Sequence, residues 1–148
     1  MKPLLLYLKE NFAQVDEAAN YLANSIERCE SFVFNNDFTE DQLVELEALT
    51  SRFARVSDLL IQKTFKTIDQ LDGTTPGTVR DRLLQAEKKG LINSTDDFMQ
   101  IRDIRNRIAH EYEIDALKDI FLFAFKNSNL LIDSIKTAKE YSQKFYTT

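Results

Sequence analysis

The side chains best suited to chemistry lie in one short stretch of the chain, residues 101–112. At about 100° per residue, a helix there would gather three isoleucines on one face: Ile101, Ile104 and Ile108. The polar residues that follow one another on the remaining surface are Arg102, Arg105, Asn106 and His110. His110 is the only histidine of the chain, and it lies at the end of this predicted helix. Such a surface is too polar for a core and organised enough to hold a ligand.

This combination of groups suits the chemistry of phosphodiesters. A histidine with a pKa near neutrality can move a proton at a ribose 2′-hydroxyl, and an arginine can bind the phosphate and stabilise the charge that grows on it. A metal site is not expected, because the stretch lacks the ligand cluster that zinc or a hard cation requires. A Ser-His-Asp triad is not indicated, since no nucleophile stands out. The same pattern also fits a helix end whose charges only cap and solubilise it.

Cleavage of this kind uses both a base and an acid, whereas one chain supplies one histidine. Two chains related by a two-fold axis would bring two such surfaces into a single cleft. Phe123 and Phe125 lie off the main apolar stripe of the last predicted helix, and a helix that is apolar on more than one side usually has more than one partner. Either a dimer seam or deep burial within one chain would account for these two phenylalanines.

The elements that position the stretch are predicted to be helices throughout. The chain has 148 residues, the length of one domain, and its three glycines and two prolines are too few for a β sandwich or a glycine-rich dinucleotide fold. Apolar residues recur three and four positions apart, which is typical of amphipathic helices. We predict that residues 1–148 form a single domain, an all-α, up-and-down bundle of three long and two shorter helices, and that two copies of it form a dimer.

Capping signals predict where the first three helices begin and end. The first covers about 28 residues from the N-terminus. The second begins after Thr39, which forms a capping box with Gln42, and ends at Asp72-Gly73. Its apolar stripe continues at a shifted angle in its second half, at Ile61, Phe65 and Ile68. The third, at about 78–89, stops at Gly90.

The fourth predicted helix contains most of residues 101–112, and the fifth begins just after them. Ser94 or Thr95 is predicted to cap the fourth helix, which runs to about His110. Asp115 is predicted to cap the fifth.

The composition limits what the protein binds and where it acts. The net charge is −5, so the chain is no general binder of polyanions. Nucleic-acid contact is expected in residues 78–110, which have 7 basic and 5 acidic groups.

Cys29 is the only cysteine, which excludes an intrachain disulfide, and it is predicted to be buried. No stretch approaches the roughly 20 apolar residues of a membrane span, and the N-terminus makes a poor signal peptide. A cytoplasmic location without membrane contact is therefore expected.

Residues 105–112 resemble the R-x4-H-x-Y signature of HEPN-domain proteins, specifically of the HepT toxin-like branch. The asparagine directly after the arginine is part of the match. Residues 78–92 are similar to the short helix and the K-x-G-hydrophobic-Ile turn that precede the motif helix in that branch. Residues 53–59 look like its second long helix, which carries a polar residue facing the site. The likeness extends over roughly residues 40–135.

The resemblance implies a metal-independent endoribonuclease that acts on RNA as a homodimer, with two motifs lining one cleft and no cofactor. It implies that Arg105 and His110 are the catalytic pair. Arg105 would bind the phosphate and stabilise the transition state, and His110 would transfer the proton. Asn106 would orient the site, and Asp58 would be the polar residue that faces it. A nucleotidyltransferase antitoxin of the MNT type is the implied partner, and it would adenylylate Tyr112. A bulky anion there would occupy the cleft and repel phosphate.

Each supporting residue also has a purely structural interpretation. Asn106 and Asp58 could be ordinary surface groups, and Tyr112 could be packed where two helices meet. Arg102 and Arg107 could hold the RNA backbone or could be solvated charges.

Three hypotheses for the whole protein follow. The first is a HEPN ribonuclease, the toxin of a type VII-like toxin–antitoxin pair. The second is a non-catalytic helical binding subunit of a nucleotidyltransferase. The third is a helical dimer without a ligand. Loss of EDTA-resistant cleavage on replacing His110 would favour the first over the other two.

Overall fold

A computed structural model describes residues 2–35 and 37–147, except for the side chain of Ile114. The helices are α1 (Lys2–Cys29), α2 (Glu40–Asp58), a π-helical segment (Leu59–Thr64), α3 (Phe65–Leu71), α4 (Val79–Lys88), α5 (Thr95–His110) and α6 (Ile114–Ser142), followed by a 3-10 turn (Gln143–Phe145). The backbone stays helical through the π-helical segment, so α2, that segment and α3 form one long helix. The predicted all-α bundle of three long and two shorter helices is confirmed, and the described residues contain no strand.

Local hydrogen bonds explain most of the helix ends. The amide of Gln42 donates to Thr39 Oγ1 at 3.2 Å, and the amide of Thr39 donates to Gln42 Oε1 at 3.0 Å, which confirms the predicted capping box. Gly73 and Gly90 follow α3 and α4 with φ of +71° and +77°, in the left-handed region that glycine adopts without a steric penalty. Ser94 caps α5 through a bond from the Asp97 amide.

The prediction that Asp115 caps the last helix is wrong. Glu113 takes the cap position, with an extended backbone and no side-chain cap bond, and α6 begins at the next residue. Asp115 therefore lies in the first turn of α6, where a carboxylate still favours the positive end of the helix dipole.

The core lies mainly where α1, α2 and α6 pack together, with α5 completing one side. Its largest fully buried side chains are Phe53, Phe65, Phe98 and Phe121. Phe125, which lies off the main stripe of α6, is half-buried against Phe34 with the ring centroids 5.3 Å apart. Part of the additional apolar surface of α6 is thus covered within the same chain. In the described part of the chain, no helix is both long enough and apolar enough to cross a membrane.

Cys29 is buried at the end of α1, as predicted. Burial raises the pKa of its thiol to about 11, so that the sulfur stays protonated at neutral pH.

Asp72 joins the end of α3 to the end of α4 and to the C-terminal end of α6 with the 3-10 turn that follows it. Its carboxylate accepts a hydrogen bond from the Tyr141 hydroxyl and lies 3.1 Å from the ammonium nitrogens of both Lys89 and Lys144. Burial pushes the pKa of Asp72 upward, but the bonds from Tyr141, Lys144 and Lys89 outweigh it and leave the pKa below its ordinary value. The ionised carboxylate therefore stabilises the fold.

Replacing Asp72 by asparagine is expected to lower the free energy of unfolding by about 1–3 kcal/mol at pH 7, because it removes charged hydrogen bonds. A carboxyl group whose pKa is lowered by folding stabilises above its unfolded pKa, near 4, and loses that contribution as the pH falls through its folded pKa. Urea unfolding of both proteins at pH 7 and at pH 3 should therefore show a difference that shrinks in acid. An equal difference at both pH values would contradict the assignment, and Asp133→Asn on the exposed side of α6 is the control.

Candidate functional site

Helix α5 has the two faces that the spacing of its residues predicts. Ile101 and Ile104 are buried and Ile108 is half-buried against the core. On the other side, Arg102 and Arg105 are half-buried, whereas Asn106, Arg107 and His110 are exposed. The polar surface is therefore accessible, and Arg102 and Arg105 are its more buried residues.

Arg105 is held by Asp58, which lies 47 positions earlier in the chain at the end of α2. The Nε atom of Arg105 donates to both carboxylate oxygens of Asp58, at 2.8 and 3.0 Å. This hydrogen bonding raises the pKa of Arg105 above its ordinary value, so the guanidinium stays charged. The side chains retain 29% and 46% of their exposure, which leaves the pair within reach of a ligand.

The pair leaves the outer edge of the guanidinium open. Among the described residues, Nη1 and Nη2 of Arg105 meet no hydrogen-bond acceptor, since both bonds to Asp58 come from Nε. An arginine oriented in this way can still present two parallel N–H groups to a phosphate. Asp58 thus orients Arg105 without occupying the nitrogens that a phosphate would use.

The π-helical segment begins directly after Asp58 and is anchored in the core. The Thr64 hydroxyl at its end donates to Asn11 Oδ1 on α1 and lies 3.2 Å from the Leu59 carbonyl. Asn11 and Thr64 are 1% and 0% exposed. A π turn accommodates an additional residue and occurs often near functional sites. The buried Asn11–Thr64 bond therefore fixes the helix segment that follows Asp58.

Arg105 and Asp58 line an open groove of about 740 Å³ between α2 and α5. Arg52, Arg55 and Ile108 also line this groove. A second groove of about 670 Å³ lies between α1 and α2. It shares Arg52, Arg55 and Leu59 with the first and adds Tyr21 and Lys63. The motif arginine therefore opens onto a polar surface that continues across α2.

The structure brings together only some of the residues that the sequence singles out. Arg105 and Asp58 are in contact, whereas Asn106 and His110 are exposed on α5 and do not line the groove. Arg102 and Arg107 are not part of the groove lining either. Within one chain, Arg105 therefore lines the groove, whereas His110, the other residue of the expected catalytic pair, is exposed outside the groove lining.

Tyr112 lies in the extended link between α5 and α6 and is 87% exposed. The Glu111 carboxylate accepts bonds from the amides of Tyr112 and Glu113, both at 3.2 Å, which orders this link. Tyr112 is therefore not packed where the two helices meet, and its hydroxyl is accessible to a modifying enzyme.

The sequence does not single out Tyr21, Arg52, Arg55 and Lys63. The folded chain places Arg52 and Arg55 in the groove of the Asp58–Arg105 pair, and Tyr21 and Lys63 in the second groove. The available signal is the spacing of residues 52, 55 and 63, which places three cations near one face of a helix. That face is recognisable as a groove only when α1 and α5 are packed beside it.

No group of three or more His, Cys, Asp or Glu side chains in the described ranges could hold a metal ion. Comparison of the chain with protein-family models, with curated proteins and with solved structures finds no match.

Proposed function

We propose that this protein is a HEPN ribonuclease of the HepT-like branch that cleaves RNA without a metal ion. The observation that carries the proposal is the bonding of Arg105: its Nε atom donates to Asp58, its two Nη atoms bind no acceptor among the described residues, and the residue lines an open groove. A guanidinium that is fixed at one end and free at the other suits a phosphate in a transition state. In this proposal the protein is the toxin of a pair whose antitoxin is a nucleotidyltransferase.

The proposed reaction is an attack by a ribose 2′-oxygen on the adjacent phosphorus. The phosphorus bond to the 5′-oxygen breaks, the 2′-proton leaves to a base, and an acid returns a proton to the departing 5′-oxygen. His110 supplies proton transfer, and Arg105 stabilises the charge on the phosphoryl oxygens. Asn106 orients the substrate, and Arg102 and Arg107 contact its backbone.

A homodimer completes the proposed site. One chain contributes a single imidazole, and its exposed position on α5 lies outside the lining of the Arg105 groove. A second copy packed on a two-fold axis along α5 would supply a second imidazole and a second guanidinium to a common cleft. Exposure of His110 and Asn106 leaves this surface accessible to such a partner.

The test is cleavage of a labelled single-stranded RNA in excess EDTA. Wild-type protein should cut the RNA at the same rate with and without EDTA and should leave 2′,3′-cyclic phosphate and 5′-hydroxyl ends. A parallel preparation of His110→Ala should show only background, which separates this activity from a copurified ribonuclease. Cleavage that EDTA abolishes, or that persists in His110→Ala, would refute the proposal.

A second candidate function is a non-catalytic binding subunit of a nucleotidyltransferase. The observation that favours it is the 87% exposure of Tyr112, which suits recognition by such an enzyme whether or not the chain cleaves RNA. It is supported if a stable complex forms while the wild-type protein shows no cleavage in any buffer.

A further inference from the structure

The two grooves beside α2 form one continuous surface. One lies between α2 and α5 and the other between α1 and α2, and Arg52, Arg55 and Leu59 line both. The combined surface runs from Tyr21, across the outer side of α2, to Arg105. We name its cations the basic strip, which consists of Arg52, Arg55, Lys63 and Arg105.

The surface that contains the basic strip is slightly basic, whereas the protein as a whole is acidic. The chain as a whole has 19 basic and 24 acidic residues, whereas the combined surface has the four cations of the basic strip and three carboxylates. One of these carboxylates, Asp58, is paired with Arg105, and the other two are Glu17 and Glu47. Arg55 and Lys63 are exposed and can reach a ligand. A phosphate chain would be attracted to this surface more than to the acidic remainder.

An aromatic platform lies at the α1 side of the surface. The Arg52 guanidinium lies 5.5 Å from the centre of the Tyr21 ring, and its Nη1 donates to the Tyr21 carbonyl at 3.0 Å and to Ser25 Oγ at 2.8 Å. These bonds hold the guanidinium over the ring, while Tyr21 remains 50% exposed. A tyrosine fixed in this way can stack with an unpaired base, and an arginine beside it strengthens the interaction.

We infer that the basic strip and Tyr21 form a binding path for single-stranded RNA that leads to Arg105. Phosphates lie on Arg55 and Lys63, and a base stacks on Tyr21. Apart from Arg105, the path lies outside residues 78–110, the segment in which the charge distribution of the sequence predicts nucleic-acid contact. Residues 52–63 span roughly 16 Å of helix, which accommodates only a few nucleotides. The inference rests on the proposed function for the cleavage at Arg105, but binding along the path does not depend on that cleavage. Stacking on Tyr21 requires an unpaired base, so the path selects single strands over duplexes.

The experiment measures binding of a fluorescent 2′-O-methyl RNA oligonucleotide, which has no free 2′-hydroxyl and so cannot be cut by the proposed reaction. Fluorescence anisotropy at several salt concentrations gives the affinity and its salt dependence. Arg55→Glu and Lys63→Glu should each weaken binding about tenfold and reduce the slope of log affinity against log salt by about 0.7 per lost phosphate contact. Lys66→Glu is the matched control, because Lys66 is exposed on the same long helix but lines a different groove. It should weaken binding clearly less than Lys63→Glu does, because Lys66 does not line the path and its charge acts on the RNA only from one helical turn away.

Tyr21→Ala tests the aromatic part of the path. It should weaken binding about fivefold or more while leaving the salt slope unchanged, because stacking releases no counterions. Duplex RNA of the same sequence should bind more weakly than the single strand. Failure of the wild-type protein to bind, equal effects of Lys63→Glu and Lys66→Glu, or preference for the duplex would overturn the inference. Binding along the path without any cleavage of natural RNA would instead refute the proposed function alone, and cleavage unaffected by Arg55→Glu would refute the path alone.

Discussion

Replacing Arg105 by lysine is expected to reduce EDTA-resistant RNA cleavage by about 10²–10³-fold, the usual cost of losing one donor that stabilises transition-state charge. The substitution keeps the positive charge, so the expected loss has a geometric cause. Arg105 binds Asp58 through Nε and leaves its two Nη atoms without an acceptor among the described residues, so that both could bind a phosphate. A lysine has one nitrogen, which cannot hold the carboxylate and fork onto a phosphate at the same time. The measurement is the initial rate of cleavage in EDTA.

The stability of Arg105→Lys should change little, because partly exposed ion pairs contribute about 0–1 kcal/mol. Thermal unfolding of the variant therefore separates loss of catalysis from loss of fold. Arg107→Lys is the matched control: Arg107 is exposed on the same helix and is expected to keep a rate within about twofold of wild type, since a solvated contact to phosphate needs only charge. A wild-type rate in Arg105→Lys would mean that the Asp58 pair is purely structural.

Most helix ends can be predicted from the sequence because their causes are local. Thr39 and Gln42 are three residues apart, and the glycines at 73 and 90 take positive φ directly after their helices. Asp115 shows the limit of this approach. An acidic residue at the cap and one in the first turn look alike in a sequence, and the extended backbone of residues 111–113 decides which of them occurs.

The π-helical segment corresponds to a detectable change in the apolar pattern of the sequence, but this change is not unique to a π turn. The apolar stripe of the second long helix shifts its angle at Ile61, Phe65 and Ile68, and all three are buried in the structure. An additional residue in the turn Leu59–Thr64 produces this shift. A bent helix or a change of packing partner would produce the same shift, so periodicity alone cannot assign the π turn.

The candidate site depends on tertiary contacts that spacing cannot predict. The polar surface of α5 follows from helical geometry, and its exposure agrees with that analysis. The pairing of Arg105 with a carboxylate 47 residues away does not follow from any local pattern, although the family resemblance singles out Asp58. The surface with the basic strip and Tyr21 is harder still to predict from the sequence, because residues from α1, α2 and α5 and from the π-helical segment form it only when they are packed together.

Adenylylation of Tyr112 is expected to abolish RNA cleavage. In that reaction the tyrosine hydroxyl gives its proton to a base, its oxygen attacks the α-phosphorus of ATP, pyrophosphate leaves, and a nucleotide with one negative charge remains on the side chain. Tyr112 follows the His110 end of α5 by two residues and is 87% exposed, so its hydroxyl is accessible before modification. The added phosphate would repel the substrate phosphates that Arg105 is proposed to bind. The test is incubation with ATP and a nucleotidyltransferase of the MNT type, followed by mass spectrometry and the cleavage assay in EDTA.

Tyr112→Phe distinguishes inhibition by modification from inhibition by complex formation. The phenylalanine variant keeps the ring but lacks the oxygen that attacks ATP, so it should cleave RNA at the wild-type rate and stay active after treatment with the transferase and ATP. Tyr7→Phe is the matched control, because Tyr7 is also exposed but lies on α1. It should be inhibited as fully as the wild-type protein. If the transferase silences Tyr112→Phe equally well, then binding alone blocks the cleft. If instead the adenylyl group is found on Tyr7, the motif tyrosine is not the regulated residue.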